Sequence, residues 1–461
     1  MRFDLDTHDG RENASIRNQP YRAVWRWHLL MALVVTPTLL LLAITGGLYL
    51  YDSEIDRLWY SDIMNVEAGA APASAAAQET AIRHAFPQAS LKSVAWPHDR
   101  PHVSTWTIAD PVQGSLNVFV APRTARITGV VPKERRPMNV ISSLHGELLL
   151  GKPGDWLVEL TASCTLIMML TGLYLWWPAC WRLRSVFVPR LRARGRAFWR
   201  DLHAVPSALL AVGVIFLVLS GLPWSGFWGE QLAKLGTLSA ATRPTPNFSA
   251  PPAVAANLDP HAAHRDPDLA ALPWAIRQAG LPTLAAGAHA SHESIALQQV
   301  MNIAAARGID RTGPRLRVFY PQDAQGVFTI SLVADRAQDQ RTVYIDPRNG
   351  EVIQDIDWQQ YSPLGRAVEW GVMAHMGRQF GEPNRWLALT ICIGIVVATI
   401  AGIVMWWRRR PRGAVGVPDA RGQSLPVPII TTMLVLGVLF PFAGAVLLIM
   451  ALAERWSRKR A

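Results

Sequence analysis

Residues 145–156 read HGELLLGKPGDW, and residues 375–386 read HMGRQFGEPNRW. Each stretch opens on a histidine (His145, His375), reaches a glycine six residues on (Gly151, Gly381), and carries a proline at +8 (Pro153, Pro383) and a tryptophan at +11 (Trp156, Trp386). Past both lies an apolar run with glycine at +27 (Gly172, Gly402) and paired tryptophans at +31 and +32 (Trp176, Trp177; Trp406, Trp407). Matched glycines, prolines and tryptophans at six offsets mark an internal duplication.

The duplication extends outward in both directions. His28 precedes Thr45-Gly46 by 17 and 18 residues, and His203 precedes Ser220-Gly221 by the same distances. A Trp-Arg pair stands before each histidine, Trp25-Arg26 and Trp199-Arg200. Between the apolar runs, 120–127 (VAPRTARI) parallels 345–352 (IDPRNGEV), each reading as a strand, a Pro-containing turn and a second strand. The repeating unit is therefore helix, polar domain, helix. Both copies start from the same side, and parallel repeats of this kind are related by an axis along the membrane normal.

Half of the 461 residues are hydrophobic and only 17% are charged. The apolar residues collect in five runs, at about 28–51, 156–177, 204–224, 386–407 and 427–452, each long enough for the ~20 residues that cross a bilayer core. The formal charge of +11 has a local explanation. Arg182, Arg184, Arg190, Arg192, Arg194, Arg196 and Arg200 fill the loop after the second run, and Arg408, Arg409, Arg410 and Arg412 follow the fourth. Those loops and the N-terminal tail are read as cytoplasmic. The long connections then face the periplasm of a bacterial inner membrane. No nucleic-acid-binding motif accompanies the charge. The first run is too long for a signal-peptide core and is read as a retained helix. Pro441 interrupts the fifth run, and Arg455, Arg458, Lys459 and Arg460 follow it. That leaves a kinked span or a re-entrant helix, with the side of the C-terminus open. Cys164, Cys180 and Cys392 form no metal-binding or disulfide pattern and read as small buried side chains.

Residues 103–108, 116–120, 315–320 and 342–345 read as strands of small α+β domains. The segment 238–290 is rich in Ala and Pro and reads as loops and short helices.

The repeat decides how the histidines are read. Symmetry about the membrane normal pairs His28 with His203 near the cytoplasmic face and His145 with His375 near the periplasmic face. Two imidazoles facing each other at one depth are what a six-coordinate haem iron takes, and helix bundles commonly house such cofactors. About 17 helical residues, roughly 25 Å, separate His28 from Thr45. The competing reading is a repeat-preserved interfacial histidine, or a two-His metal site without the further ligands zinc needs. His145 and His375 precede Gly-x-Pro turns and are placed on short interfacial segments. Arg26 and Arg200 are candidates for haem propionate contacts or for positive-inside anchoring. His98, His102, His261, His264, His289 and His292 read as loop histidines, Glu159 as interfacial, the glycines as packing positions, and the tryptophan pairs as an aromatic belt.

The residues His145-Gly146-Glu147, Gly151 and 171–178 (TGLYLWWP), the turn 346–352 (DPRNGEV), and His28 with 45–49 (TGGLY) resemble the PepSY-associated transmembrane family. The resemblance reaches to about Arg412. It implies a di-haem inner-membrane reductase that releases iron from ferric siderophores, with His28, His145, His203 and His375 as axial ligands of two haem b groups. It departs from the pattern in its long Ala/Pro-rich second connection, its fifth apolar run, and Thr124-Ala125 where the second turn has Asn349-Gly350.

The expected architecture is an α-helical membrane protein. A duplicated helix–periplasmic domain–helix unit forms a four-helix core, with a fifth C-terminal hydrophobic helix and two small α+β PepSY-like domains. Residues 1–27 are a cytoplasmic tail, 28–51 the first span, 52–144 the first PepSY-like domain, and 145–178 the histidine segment with the second span. Residues 179–202 form the Arg-rich loop, 203–225 the third span, 226–374 the second PepSY-like domain, and 375–407 the second histidine segment and fourth span. Residues 408–426 are a cytoplasmic loop, 427–453 a fifth span or re-entrant helix, and 454–461 a basic tail. The expected partners are the lipid bilayer, membrane quinol or a separate flavoprotein as donor, and a ferric siderophore or ferric chelate as acceptor. No nucleotide-binding fingerprint is present in the short loops. A non-redox peptide- or siderophore-binding, peptidase-regulating protein is the alternative, and a transporter a third.

Overall fold

The computed structural model describes residues 6–66, 73–96, 102–177, 187–238, 272–279, 282, 284, 294–309, 315–413, 416–417, 425 and 427–460. Cys180, Arg182, Arg184, His98, His261, His264, His289, His292 and most of 238–290 lie outside them. The chain divides into a helical unit (Met1–Gly47, Lys152–Leu222, Ala388–Ala461) and a sheet unit (Leu48–Gly151, Pro223–Leu387).

Among the described residues, the helical unit contains three helices long and apolar enough to cross a membrane, drawn from α1 (Asp6–Tyr49), α6 (Lys152–Trp176) and α13 (Glu382–Arg409). The third apolar run is not one straight helix. It is α7 (Arg196–Leu209) and α8 (Ala211–Gly221), which meet at Leu210 with a bend of 60°. Pro206 lies one turn before the break. It has no N–H to give to residue 202, and its ring crowds that carbonyl. Threonine and serine at the far ends of the first and third runs behave alike: Thr45 Oγ1 donates to the Leu41 carbonyl and Ser220 Oγ to that of Phe216.

The fifth run is also divided, into α14 (Val427–Leu439) and α15 (Pro441–Arg460). Gly437 and Gly444 meet across the junction, and a Cβ on Gly444 would lie 3.2 Å from Gly437 Cα. Residues seven apart in a continuous helix are about 10 Å apart, so the chain folds back on itself at Phe440–Pro441. This helical hairpin carries Arg455, Arg458, Lys459 and Arg460 back toward the end at which α14 begins. A through-going span would have put those charges on the far side, against the positive-inside rule.

The sheet unit corrects the expectation of two separate small domains. Both repeats contribute to one eight-stranded antiparallel sheet, in the order β4-β3-β2-β1-β5-β6-β7-β8. Its strands are β1 (Ser90–Trp96), β2 (Ser104–Asp110), β3 (Gly114–Val120), β4 (Ile127–Pro132), β5 (Arg315–Phe319), β6 (Phe328–Val333), β7 (Arg341–Ile345) and β8 (Val352–Asp357). The halves join through β1 and β5, with Val94 opposite Val318. Pairing there gives each half-sheet's first strand a partner and removes two exposed edges. One face is apolar. Trp106, Ile108, Val118, Val318, Ile330 and Val343 pack against α4 (Ala75–Ala85) and α11 (Leu297–Ala306). The other face buries small polar side chains, among them Ser93, Thr107, Asn117, Thr329, Ser331 and Thr342.

The duplicated turns adopt one geometry. In both, the ladder shifts register at the end of the hairpin, between Phe119 and Val120 and between Tyr344 and Ile345. The fifth loop residue in each is left-handed: Ala125 at φ 54° and Gly350 at φ 76°. Alanine there costs roughly 1–2 kcal/mol relative to a residue without Cβ. Ala125→Gly is accordingly expected to raise the melting temperature of the sheet unit. Gly350→Ala is expected to lower it by more than Ala125→Gly raises it, because the added Cβ would also come 3.0 Å from Ile303 Cδ1. Thermal unfolding in detergent checks both.

Asp355 on β8 fastens the sheet to α11. Arg341 reaches its two oxygens from Nε and Nη2 at 2.7 Å each, and Arg307 joins at 3.1 Å. Burial pushes the Asp355 carboxyl up, but these arginines outweigh it and hold it below the ordinary carboxylate range. A folded-state pKa below the unfolded one stabilises the fold above the unfolded value, about pH 4. That contribution fades as pH falls through the folded value. Asp355→Asn is expected to cost about 1–3 kcal/mol at pH 7. The gap from the native chain should narrow below about pH 4; a gap independent of pH would show that the arginines do not stabilise the ionised form.

Candidate haem-ligand pairs

The helical unit brings His28 on α1 and His203 on α7 together. Their ring centroids are 6.3 Å apart and the planes are at 79°. Two imidazoles bound on opposite sides of one metal, at about 2 Å each, hold their ring centres roughly 6 Å apart. The separation is that of a ligand pair.

Hydrogen bonds fix the proton on each ring. His203 Nδ1 lies 2.8 Å from the Ala398 carbonyl, which can only accept, so Nδ1 carries the hydrogen. His28 Nδ1 lies 2.9 Å from Thr171 Oγ1. That hydroxyl donates its single hydrogen to the Ile167 carbonyl at 2.9 Å, so it accepts from His28. Both rings are therefore Nδ1–H tautomers, and both have their lone pair on Nε2. Metal-bound histidines are usually oriented by such a contact on the other nitrogen.

The glycines at +27 explain why the rings can lie where they do. A Cβ at Gly172 would stand 3.3 Å from His28 Cε1, and one at Gly402 would stand 3.3 Å from His203 Nδ1. These two glycines, read from sequence as packing positions, make room for the imidazoles. Thr171 was quoted in the sequence only as part of a motif; its use as a proton acceptor depends on the helix phase that turns it toward His28.

Arg200 is engaged by Asp201, at 3.0 Å, and the same carboxylate holds Arg190 at 2.6 Å. Arg26 is half-buried two residues before His28. The aromatic belt is reinforced by the arginines beside it: Arg410 lies 3.8 Å from the Trp407 ring centroid and Arg409 4.0 Å from that of Trp25. Cys164 and Cys392 are free and buried. Glu159 is 1% exposed, and Asp155, one turn earlier on α6, is fully buried.

His145 and His375 both belong to the sheet unit. His145 lies in the last turn of α5 (Pro137–Glu147), and His375 ends α12 (Pro363–His375). Both helices begin with proline, and both are followed by a turn with a left-handed glycine, Gly151 and Gly381, each at φ 65°. The two rings are half-buried, at matched places on short helices rather than on the spans. Arg378, three residues beyond His375, reaches Asp52 at 3.2 Å, and Arg315 approaches the same carboxylate at 4.0 Å. Burial would raise the Asp52 carboxyl; Arg378 and Arg315 overcome it and hold the group below its usual range. Arg385 pairs with Glu54 and covers the Tyr51 ring at 4.1 Å. His102 bridges to Asn65 by backbone pairing. Among the described residues no group of three or more His, Cys, Asp or Glu is placed to hold a metal ion.

A family model described as the PepSY-associated TM region matches residues 25–409. No curated protein matches the chain.

Proposed function

The chain belongs to the PepSY-associated transmembrane family, and from that premise we propose that it is a di-haem membrane electron-transfer protein. It reduces a periplasmic ferric chelate, with a ferric siderophore as the substrate class. His28 and His203 would hold one haem through Nε2, and His145 and His375 the other. Haem supplies one-electron redox chemistry when bound.

The chain's own residues supply position. The Ala398 carbonyl and Thr171 aim the inner imidazoles by holding Nδ1, while Gly172 and Gly402 let them approach. Arg378, three residues past His375, and Arg315 meet on Asp52 in the sheet unit. The observation that carries the reading is the 6.3 Å separation of two rings whose Nε2 atoms both bear lone pairs.

The test is an absorption spectrum of the purified protein, oxidised and dithionite-reduced, with haem quantified per chain. Anaerobic addition of ferrioxamine to the reduced protein follows. The expected result is a b-type spectrum, two haems per chain, and reoxidation by the chelate. A colourless protein from haem-sufficient cells would overturn the reading and put peptide or siderophore binding without reduction first. Two haems without reoxidation would retain the conduit and remove the acceptor.

A further inference from the structure

Among the described residues, six arginines meet a carboxylate with one particular edge of the guanidinium, that of Nε and Nη2. They are Arg83 with Glu79, Arg136 with Asp56, Arg190 and Arg200 with Asp201, Arg341 with Asp355, and Arg348 with Asp346. The two N–H bonds on that edge run parallel, and they match the two oxygens of a carboxylate. Arg277, on the short helix α10 (Trp274–Ala279) of the sheet unit, has the same edge buried, and neither Nε nor Nη2 has an acceptor among the described residues.

The surroundings are built rather than incidental. Arg277 Cζ lies 4.0 Å from the centroid of the Trp224 ring, so the guanidinium is stacked and its plane is set. Trp274, one turn earlier, is buried and gives its indole N–H to the Pro223 carbonyl at 3.3 Å. Tyr361 packs with Ile276, next to Arg277, and its hydroxyl is also buried without a partner. Glu369 on α12 is within electrostatic range of both Arg277 and Tyr361, yet leaves those three donors unfilled. Buried donors in this number call for an acceptor from outside the chain. Burial pulls the guanidinium down to about 10 even though Glu369 opposes it.

We propose that Arg277 and Tyr361 form a buried carboxylate seat, in which the Nε/Nη2 edge takes both oxygens and the phenol donates to one of them. The carboxylate has two sources. One is a propionate of a haem held at His375, which ends the helix that carries Glu369; this source rests on the functional reading above. The other is a carboxylate-bearing solute, which does not.

The experiment uses full-length protein in nanodiscs as native chain, Arg277→Lys and Tyr361→Phe. Arg277→Lys keeps charge but loses the fork; Tyr361→Phe keeps the ring. Haem and haem dimethyl ester are titrated into haem-depleted protein, and acetate is titrated by calorimetry. A propionate in the seat makes the native chain prefer haem to its ester by about tenfold, the factor of one charge-assisted hydrogen bond, and both variants lose the preference. A solute in the seat gives acetate binding that both variants lose, with no ester effect. If neither binding depends on Arg277 or Tyr361, and a high-resolution map shows only water on the Arg277 edge, the seat is overturned. A chain that takes up no haem ends the functional reading, and the acetate titration still decides the seat.

Discussion

Replacing His28 or His203 by alanine is expected to reduce the haem content from two per chain to about one, with the remaining haem keeping its low-spin b-type spectrum. The expectation follows from the pair geometry. The ring centroids are 6.3 Å apart, and removing either ring leaves one imidazole where a six-coordinate haem iron takes two. Imidazole added to His28→Ala should restore the spectrum, since it can occupy the vacated volume and supply the missing nitrogen. His145→Ala and His375→Ala should each remove the other haem, so that His28→Ala combined with His375→Ala leaves none. His102→Ala serves as a control that keeps both. If His28→Ala and His203→Ala both retained two haems with unchanged spectra, the ligand assignment would be wrong even for a haem protein.

Much of this site was legible before any coordinates, because a duplication carries positional information a single histidine lacks. The offsets from His28 and His203 to the Thr-Gly and Ser-Gly pairs put the two rings at one depth, and the structure brings them together. The +6 glycines were equally readable, and both are left-handed at φ 65°. What the sequence withheld was mostly long-range. The pairing of β1 with β5 joins residues more than 200 positions apart, and strand periodicity says nothing about which strand lies alongside. β1 and β6 went unread because their alternation includes buried Ser93, Thr329 and Ser331, small polar residues that look solvent-facing in a pattern. The bend at Leu210 and the fold-back at Phe440–Pro441 depended on prolines that were visible, but a proline fixes where a helix is weakened and not the angle that results. Glu159 stands near the start of an apolar run, and its burial comes from neighbours that a one-dimensional reading does not place. The donor edge of Arg277 gave no signal at all, since an arginine with an unfilled fork reads like any other.

Substituting Gly172 or Gly402 by valine is expected to abolish binding at the His28/His203 pair while leaving the fold and the second haem in place. A single Cβ at either position would already stand 3.3 Å from the imidazole, tighter than ordinary carbon contacts of about 3.5–4 Å. The branched methyls of valine then have to displace the ring. The ring cannot retreat without breaking the Nδ1 contacts to Thr171 and Ala398, at 2.9 and 2.8 Å, and a metal–nitrogen bond of about 2 Å tolerates only tenths of an ångström. Gly47→Ala is the matched control, because its Cβ would lie 3.6 Å from Cys392 Cβ, an ordinary contact. Thr171→Val separates crowding from hydrogen bonding. It keeps the shape of the side chain and removes the acceptor for His28 Nδ1–H, so the haem should remain at saturating haem while affinity falls by about 10–100-fold. Its reduction potential should rise, because an imidazole that no longer shares its proton is the poorer electron donor to iron. Loss of the low-spin spectrum in the valine variants at Gly172 and Gly402, together with its retention in Thr171→Val, would show that the glycines act by clearance and the threonine by polarising the ligand. Unchanged spectra and potentials in all three would mean that the contacts around the two imidazoles have no part in holding a haem.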